Sequence, residues 1–291
     1  YEGDLLPKVF QGQMIHTDAG PSIVRAYPVK RSGAGYSASI VNILDGAKRD
    51  KWFRPSDVKV APDGSLIVAD WYDPGVGGHN MRDLDRGRLF RVTPKGHKGY
   101  KLPKQNFKTT DGLIAAIKNP NHAVRYVAWI GLQKKQNSAK PALLKLAGDD
   151  NPRFRARALW LLSQIKDNQK ATVGMALKDK DDNIRGMALR IARQHKLDVI
   201  PIISELCGDG SALVRRECLI ALRHNKSKKA PALWAMLASA HDGKDRWYLE
   251  ALGLAADKQE NKFFDNWVAG AKLNTAAARD IIWRYRGTHG T

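Results

Sequence analysis

Residues 52–79 read WFRPSDVKVAPDGSLIVADWYDPGVGGH and contain the pattern of two short strands. Valine alternates with polar residues over 57–60, and the run over 66–68 is apolar and rich in β-branched residues, as strands commonly are. Between them, Pro62-Asp63-Gly64 is a turn signal, because glycine accepts a positive φ angle. The stretch therefore predicts a β-hairpin whose second strand ends at Asp70.

The segment that follows Asp70 and runs to Gly87 is too long for a simple strand reversal. It carries aromatic, acidic and imidazole side chains, namely Trp71, Tyr72, Asp73, His79, Asp83 and Asp85. Long loops on a sheet scaffold are usually either functional or disordered. We therefore expect this loop to border a functional site.

A second copy of the strand pattern lies upstream. The segment 12–18 aligns with 64–70, and 23–25 aligns with 89–91, so each copy has a turn glycine, a strand, an aspartate, a loop and a strand with arginine. Radial repetition of such units builds a β-propeller, which typically has about 4–8 blades of roughly 40–45 residues. Residues 1–103 are thus predicted to be the last two or so blades of a propeller whose remaining blades lie upstream or on another chain.

A 30-residue period begins beyond a linker at residues 101–110. An apolar residue followed by arginine recurs at Val124-Arg125, Phe154-Arg155, Ile184-Arg185 and Val214-Arg215, and Asp245-Arg246 follows after 31 residues. Apolar residues at helical spacing follow each arginine, and a shorter apolar helix precedes it. Stacked helix pairs of this kind form an α-solenoid. Residues 104–291 are predicted to be a HEAT-like α-solenoid of five repeats, with a degenerate sixth as a terminal cap.

The arginines of this period allow two interpretations. Asn119, Asp149, Asp179 and Asp209 precede the first four of them by six residues, which favours ion pairs inside the fold. The alternative is phosphate binding, as basic helical repeats can bind a DNA backbone. The cations outside the period lack the interleaved aromatic residues of single-strand binders, so nucleic acid is the less favoured partner.

The charge of the chain is unevenly distributed. Residues 101–291 hold 34 Lys and Arg against 18 Asp and Glu, a net charge of +16 out of the total of +20. Such an excess fits an acidic partner or a solvated surface.

The two cysteines, Cys207 and Cys218, fall on apolar helix faces and are expected to be buried thiols. No apolar run reaches the roughly 18 residues of a membrane span. The N-terminus lacks the features of a signal peptide, so we expect a fragment of a longer protein.

Candidate site residues cluster around the long loop. His79 is a candidate general base that Asp70 or Asp73 would orient, and Asp73 is itself a catalytic candidate. Asp70 and Asp73 are also candidate ligands of a hard cation, together with Asp83 and Asp85. Candidate contacts to a substrate or cofactor are Arg54, Asp57, Trp71, Tyr72 and Arg88. The alternative for this set is structural, with aspartates that cap turns, a loop ion pair and aromatic rings in the core.

The run from Trp52 to His79, closed by RGRLFRV at 86–92, resembles the planctomycete-type haem-binding or "membrane-bound dehydrogenase" family. The propeller of that family is similar to those of sorbosone and glucose dehydrogenases. Helical repeats and usually a c-type cytochrome domain follow it. The resemblance covers residues 1 to about 94 closely and the helical part by architecture alone.

The resemblance implies part of a periplasmic or otherwise extracytoplasmic oxidoreductase, with membrane association left open. A quinoprotein-like dehydrogenase of this kind acts on a sugar, alcohol or aldehyde, with pyrroloquinoline quinone and Ca²⁺ as implied cofactors. Electrons would pass to a c-type haem domain, which this chain lacks because it has no C-x-x-C-H motif. The alternative is a non-enzymatic scaffold that binds a glycan, an acidic one included, or a protein, with the basic solenoid as a docking arm.

Overall fold

The computed structural model describes residues 1–75 and 85–285. Contacts divide the chain into two compact units. The first comprises Tyr1–Lys30 and Ser37–Lys135, and the second comprises Arg31–Tyr36 and Gln136–Thr291. Each unit is considered by itself below.

The strands form small antiparallel sheets. In chain order they are β1 Met14–Asp18, β2 Ile23–Tyr27, β3 Val29–Ser32, β4 Gly35–Ala38, β5 Val41–Asp45, β6 Pro55–Val60, β7 Leu66–Asp70 and β8 Arg88–Val92. One three-stranded sheet has the order β1-β2-β5, another has β6-β7-β8, and β3 pairs with β4.

The hairpin predicted from residues 52–79 is confirmed as β6 and β7. Val60 pairs with Leu66, and the turn between them holds Gly64 at a φ of 87°. The Asp63 carboxylate accepts a hydrogen bond from the Ser65 amide at 2.9 Å, which fixes the turn and hence the register of the strands.

The two copies of the strand pattern are present, with one difference in register. Asp18 pairs with Ile23 across β1 and β2, whereas Asp70 pairs with Arg88 across β7 and β8. The sequence pattern equates Ile23 with Leu89. In the structure β8 begins one residue earlier, at Arg88. Within the described residues the sheets form no closed ring, so the propeller stays a prediction.

The core of the strand region joins both three-stranded sheets. Val24, Phe53 and Val68 are buried together, with partly buried apolar residues from β1, β5, β6 and β8 around them. Phe53 contacts Phe90 edge to face, with ring centroids 5.7 Å apart. Burial of each such side chain stabilises the fold by about 1.5–3 kcal/mol.

The first helix pair belongs to this unit and comprises α1 Thr110–Ile117 and α2 His122–Lys135. The Thr109 hydroxyl caps α1 by accepting from the Gly112 amide. Asn121, just before α2, donates from its side chain to the Val60 carbonyl at 2.6 Å. The helices are therefore joined to the end of β6 by a hydrogen bond.

The second unit is built from helices. In chain order they are α3 Lys140–Leu146, α4 Pro152–Ser163, α5 Gln169–Leu177, α6 Asp182–Gln194, α7 Ile200–Leu206, α8 Ala212–Leu222, α9 Ala230–Ser239, α10 Arg246–Ala256, α11 Glu260–Val268 and α12 Ala276–Tyr285. Short and long helices alternate up to α10 with the predicted period, so the helical solenoid is confirmed.

The turns inside successive helix pairs share one local structure. In each, a side-chain oxygen accepts a hydrogen bond from the amide two residues further on; the accepting residues are Asn119, Asp149, Asp179 and Asp209. The residues whose amides donate these hydrogen bonds lie directly before the following helix. These aspartates and asparagines therefore have a local folding role in addition to any ion pair.

The tip of the β3–β4 hairpin belongs to the second unit. Nothing in the sequence predicted this placement. Ala34 is fully buried there. Its amide donates to the Asp245 carboxylate at 2.6 Å, and its carbonyl accepts from the Arg216 guanidinium. Arg31, one strand position away from the turn, pairs with Asp182 at 2.8 Å. Helices α6, α8 and α10 thereby hold the hairpin tip at their surface.

Cys207 and Cys218 are free and buried, as expected. Burial raises the pKa of the Cys218 thiol far above its usual range. Among the residues that the structure describes, no helix has the length and apolar character needed to cross a bilayer.

Candidate functional site

Asp70, at the end of β7, is enclosed by hydrogen-bond donors. Its side chain has no exposed surface. Oδ1 accepts from the amides of Arg54 and Tyr72 at 2.7 and 3.0 Å, and Oδ2 accepts from Arg88 Nε at 2.7 Å. Because both oxygens are occupied by the protein, this carboxylate ties the ends of β6, β7 and β8 together.

Arg88 is the centre of this network. Its Nη2 lies 2.6 Å from Asp70 Oδ2 and 2.8 Å from Asp50 Oδ2, and its guanidinium stacks on the Tyr72 ring at 3.8 Å. The hydrogen bond from Arg88 holds the pKa of Asp50 below its ordinary value. Arg88 is therefore a neutralised, stacked cation whose charge is shared by two carboxylates.

Arg54 reaches away from the same centre. Its Nη1 donates to the Ser22 hydroxyl at 2.6 Å, and Nη2 donates to the Pro74 carbonyl at 3.2 Å. Ser22 lies in the β1–β2 turn and is itself buried. The side chain thus connects the turn of one sheet with the loop that leaves the other.

The remaining candidates differ in exposure. Asp73 is buried and accepts from the Gly75 amide at 2.7 Å, and the Tyr72 backbone has a positive φ of 55°. Trp71 is 64% exposed. Asp57 lies outside this network, because its carboxylate accepts from the Val58 amide and from Lys59.

The structure therefore brings Asp70, Arg54, Tyr72 and Arg88 together at the ends of β6, β7 and β8. His79 and Asp83 lie outside the described residues, and Asp85 is exposed. The catalytic role of His79 stays a prediction.

Arg88 also lines a cleft of about 610 Å³. Its lining includes Lys48, Arg49 and Asp50 from the segment after β5, with the rings of Phe53 and Phe90. Sequence reasoning did not select Lys48 or Arg49. The available signal was the run of charges directly after an apolar strand.

The implied calcium ion does not fit Asp70, because protein donors already occupy both carboxylate oxygens. No cluster of three or more His, Cys, Asp or Glu side chains suited to a metal occurs in the two described stretches. Asp73 has one oxygen bonded to an amide, and by itself it makes a weak cation site.

The arginines of the helical period are used inside the fold. Arg155 donates from Nε and Nη2 to both oxygens of Asp179 at 2.9 and 2.8 Å, and from Nη1 to the carbonyls of Asp149 and Asp150. Arg185 contacts Asp209 in the same way. Each arginine thus joins its own turn to the turn of the next pair.

This series changes at Arg215. Its Nη1 donates to the Asp209 carbonyl at 2.6 Å, but its guanidinium lies over the Tyr248 ring, 5.5 Å from the centroid. Arg246, which the sequence period suggested as the fifth member, starts α10 with a side chain 82% exposed. The one-residue change in spacing places it outside the series.

The turns at the opposite end of these helix pairs are rich in lysine. Lys166, Lys196 and Lys226 are spaced by 30 residues and exposed, in the turns that follow α4, α6 and α8. Lys228 and Lys229 lie close to Lys226 in the sequence and are also exposed. We call these five residues the basic edge. Asp167 and Asp198 also lie in these turns, so cations outnumber acids there.

The helix pairs define one recognised class. A model of HEAT repeats matches residues 110–173, which include α1 to α4 and the start of α5. A model described as a domain of unknown function, DUF7133, matches residues 1–96, the strand region. No curated protein is significantly similar to the chain. The chain therefore carries HEAT repeats behind a domain whose family description states no activity.

Proposed function

We propose that the chain is a binding scaffold in which the HEAT repeats dock an acidic segment of a partner protein on the basic edge. One observation carries this proposal. Within the described residues none of the five basic-edge ammonium groups forms an ion pair, whereas Arg155 and Arg185 are both paired internally. These lysines are thus available to a partner, and three of them recur at the spacing of the repeats.

Repeated lysines on one edge suit an extended acidic chain. Each lysine presents three donors on a flexible stem, so it attracts carboxylates without demanding one geometry. Electrostatic complementarity of this kind sets partner choice and association rate more than it sets affinity. We therefore expect binding to weaken strongly as salt is added.

The test measures binding of poly-L-glutamate by fluorescence anisotropy at physiological salt. A variant with Lys226→Glu, Lys228→Glu and Lys229→Glu should lose about tenfold or more in affinity, because attraction is replaced by repulsion. The matched control reverses three exposed lysines in and just before the linker, Lys98→Glu, Lys101→Glu and Lys104→Glu, and should lose less than about twofold.

Equal losses in both variants would mean that only total charge matters, and would refute the docking edge. Tighter binding of duplex DNA or of heparin than of polyglutamate at equal charge would assign the edge to a different polyanion and would also refute the proposal.

A second candidate is the predicted oxidoreductase part, and the cleft beside Arg88 favours it. Lys48 and Arg49 supply two cations next to the rings of Phe53 and Phe90, and Arg88 lies beside them with its charge shared by Asp50 and Asp70. These residues would hold the carboxylates and the planar ring of pyrroloquinoline quinone. When bound, the quinone accepts two electrons from an alcohol or aldehyde. The remaining blades, the cytochrome partner and the extracytoplasmic location belong to this candidate and rest on the resemblance.

Titration of the protein with pyrroloquinoline quinone, followed by tryptophan fluorescence, tests the cleft without requiring turnover. Lys48→Gln with Arg49→Gln should weaken binding about tenfold, because two charge-assisted contacts are lost. Lys51→Gln, an exposed neighbour outside the lining, is the control. Equal binding by all three proteins would exclude the cleft as the quinone site.

A further inference from the structure

A second pocket lies in the last described part of the helical unit, between α10 and α12. It encloses about 490 Å³ and is lined by three cations, Lys244, Arg246 and Arg279. Its volume lies within the range of roughly 300–1,000 Å³ found for small-molecule sites. We call it the cap pocket.

The loop that carries Lys244 is fixed by its own contacts. The Asp242 carboxylate accepts from the amides of Lys244 and Asp245, both at 2.8 Å. Gly243 has a φ of 72°, and a side chain at this position would press against the backbone of Ala277 at the start of α12. The backbone of this loop is therefore held against α12.

The two acids that line the cap pocket are already engaged. Asp245 accepts from the amides of Tyr248 and Ala34, one on each carboxylate oxygen. Asp280 Oδ2 lies 3.3 Å from Nε2 of His241. Both carboxylates keep their charge, so the lining holds three cations against two anions, and Arg246 also lies 3.9 Å from Glu250. The N-terminus of α10 adds a partial positive charge.

His241 is an unusual group to find in this position. Its side chain is 1% exposed, and its Nδ1 has no hydrogen-bond partner among the described residues. The imidazole stacks on Tyr248 with an angle of 5° between the rings. A buried polar atom without a partner is costly, and its presence in the wall of a pocket points to a ligand site.

Helix α12 also contributes an aromatic surface. Trp283 lines the cap pocket with 59% of its surface exposed. An indole face can stack on a planar ring, which is worth about 1–3 kcal/mol per base in nucleotide-binding proteins. Three cations beside one aromatic face match a ligand with an anionic group at one end and a planar ring at the other.

We propose that the cap pocket binds a small organic phosphate that carries a planar ring, as a mononucleotide does. The phosphate contacts Lys244, Arg246 and Arg279, and the ring stacks on Trp283. This inference is independent of the basic edge and of the cleft beside Arg88.

Isothermal titration of the full chain with AMP, adenosine and inorganic phosphate separates the two halves of the ligand. AMP should bind at least about tenfold more tightly than either fragment, because one site holds both ends. Binding of adenosine as tight as that of AMP would refute the phosphate contact. Binding of inorganic phosphate as tight as that of AMP would refute the ring contact.

The double variant Lys244→Gln with Arg246→Gln removes two exposed cations without touching the core, and should weaken AMP binding about tenfold or more. Lys272→Gln, an exposed lysine of the same unit outside the pocket lining, is the matched control and should leave AMP binding unchanged. Trp283→Ala should lower the affinity for AMP to that for inorganic phosphate. Unchanged AMP binding in the double variant would overturn the proposal.

Discussion

Arg185 donates two hydrogen bonds to the carboxylate of Asp209, from Nε at 2.7 Å and from Nη2 at 2.9 Å, although 24 residues separate them. The same two-bond geometry joins Arg155 to Asp179 one repeat earlier. Parallel bonds of this kind are among the strongest that side chains form. Adjacent HEAT repeats are thus joined by their turns as well as by apolar packing.

The first prediction concerns the pair formed by Arg185 and Asp209. Asp209→Asn keeps the size of the side chain and its acceptor for the Ser211 amide, but it removes the charge that Arg185 neutralises. We expect a loss of about 2 kcal/mol in the free energy of unfolding, because a largely buried guanidinium is left without its counter-ion. Urea unfolding followed by circular dichroism measures the change.

The control for this prediction is Asp57→Asn, which breaks an exposed pair with Lys59. Exposed pairs contribute little, so the loss should stay below about 0.5 kcal/mol. A loss in Asp209→Asn as small as that in Asp57→Asn would show that the repeat ion pair does not stabilise the fold.

The second prediction is a dependence on pH. The hydrogen bond from Arg185 holds the pKa of Asp209 below its ordinary value of 3.8. A lowered pKa in the folded state adds stability above the unfolded value, and this contribution is lost as the pH falls through the folded value. We therefore expect the free energy of unfolding to decrease with acidification below about pH 4. Asp209→Asn should show a shallower decrease, and slopes that coincide would contradict the assignment.

The period of the helical part made its folding predictable, since four arginines at a 30-residue spacing can be recognised in the sequence. The contact between Ala34 and Asp245 could not be predicted in this way. It spans 211 residues, and no local pattern in a hairpin turn indicates a helix cap so far along the chain.

The candidate site shows the same limit. The sequence placed Asp70 in one candidate set with Arg54, Asp57, Tyr72 and Arg88, and the structure brings all of these but Asp57 together. It could not indicate whether the Asp70 oxygens face solvent or backbone amides, because that depends on how the chain curves after β7. A catalytic aspartate and an aspartate that holds strand ends together can have the same sequence context, so residue type and spacing do not distinguish them.

The third prediction separates these roles for Asp70. Asp70→Asn should lower the free energy of unfolding by about 3 kcal/mol, because the amide repels an amide donor and leaves Arg88 short of a counter-charge. Asp73→Asn keeps an oxygen that can accept from the Gly75 amide, so it should cost less than about 1 kcal/mol. Chemical unfolding monitored by tryptophan fluorescence measures both. If Asp70→Asn is as stable as the wild-type protein, the Asp70 carboxylate has a role in a functional site and does not stabilise the fold.

The fourth prediction uses two glycines that differ only in their surroundings. Gly33 and Gly96 have φ angles of 54° and 82°, so alanine is strained by about 1 kcal/mol at either position. A Cβ at Gly96 meets nothing within 4 Å, whereas one at Gly33 overlaps the Asp245 carboxylate that caps α10 and binds Ala34. Gly33→Ala should therefore cost about 2–3 kcal/mol in the free energy of unfolding, against about 1 kcal/mol for Gly96→Ala. Equal costs would show that the hairpin tip is not held by α10 in solution. A larger cost for Gly33→Ala that disappears in an Asp245→Ala background would confirm that the overlap with this carboxylate is its cause, because the two substitutions would then act on one contact.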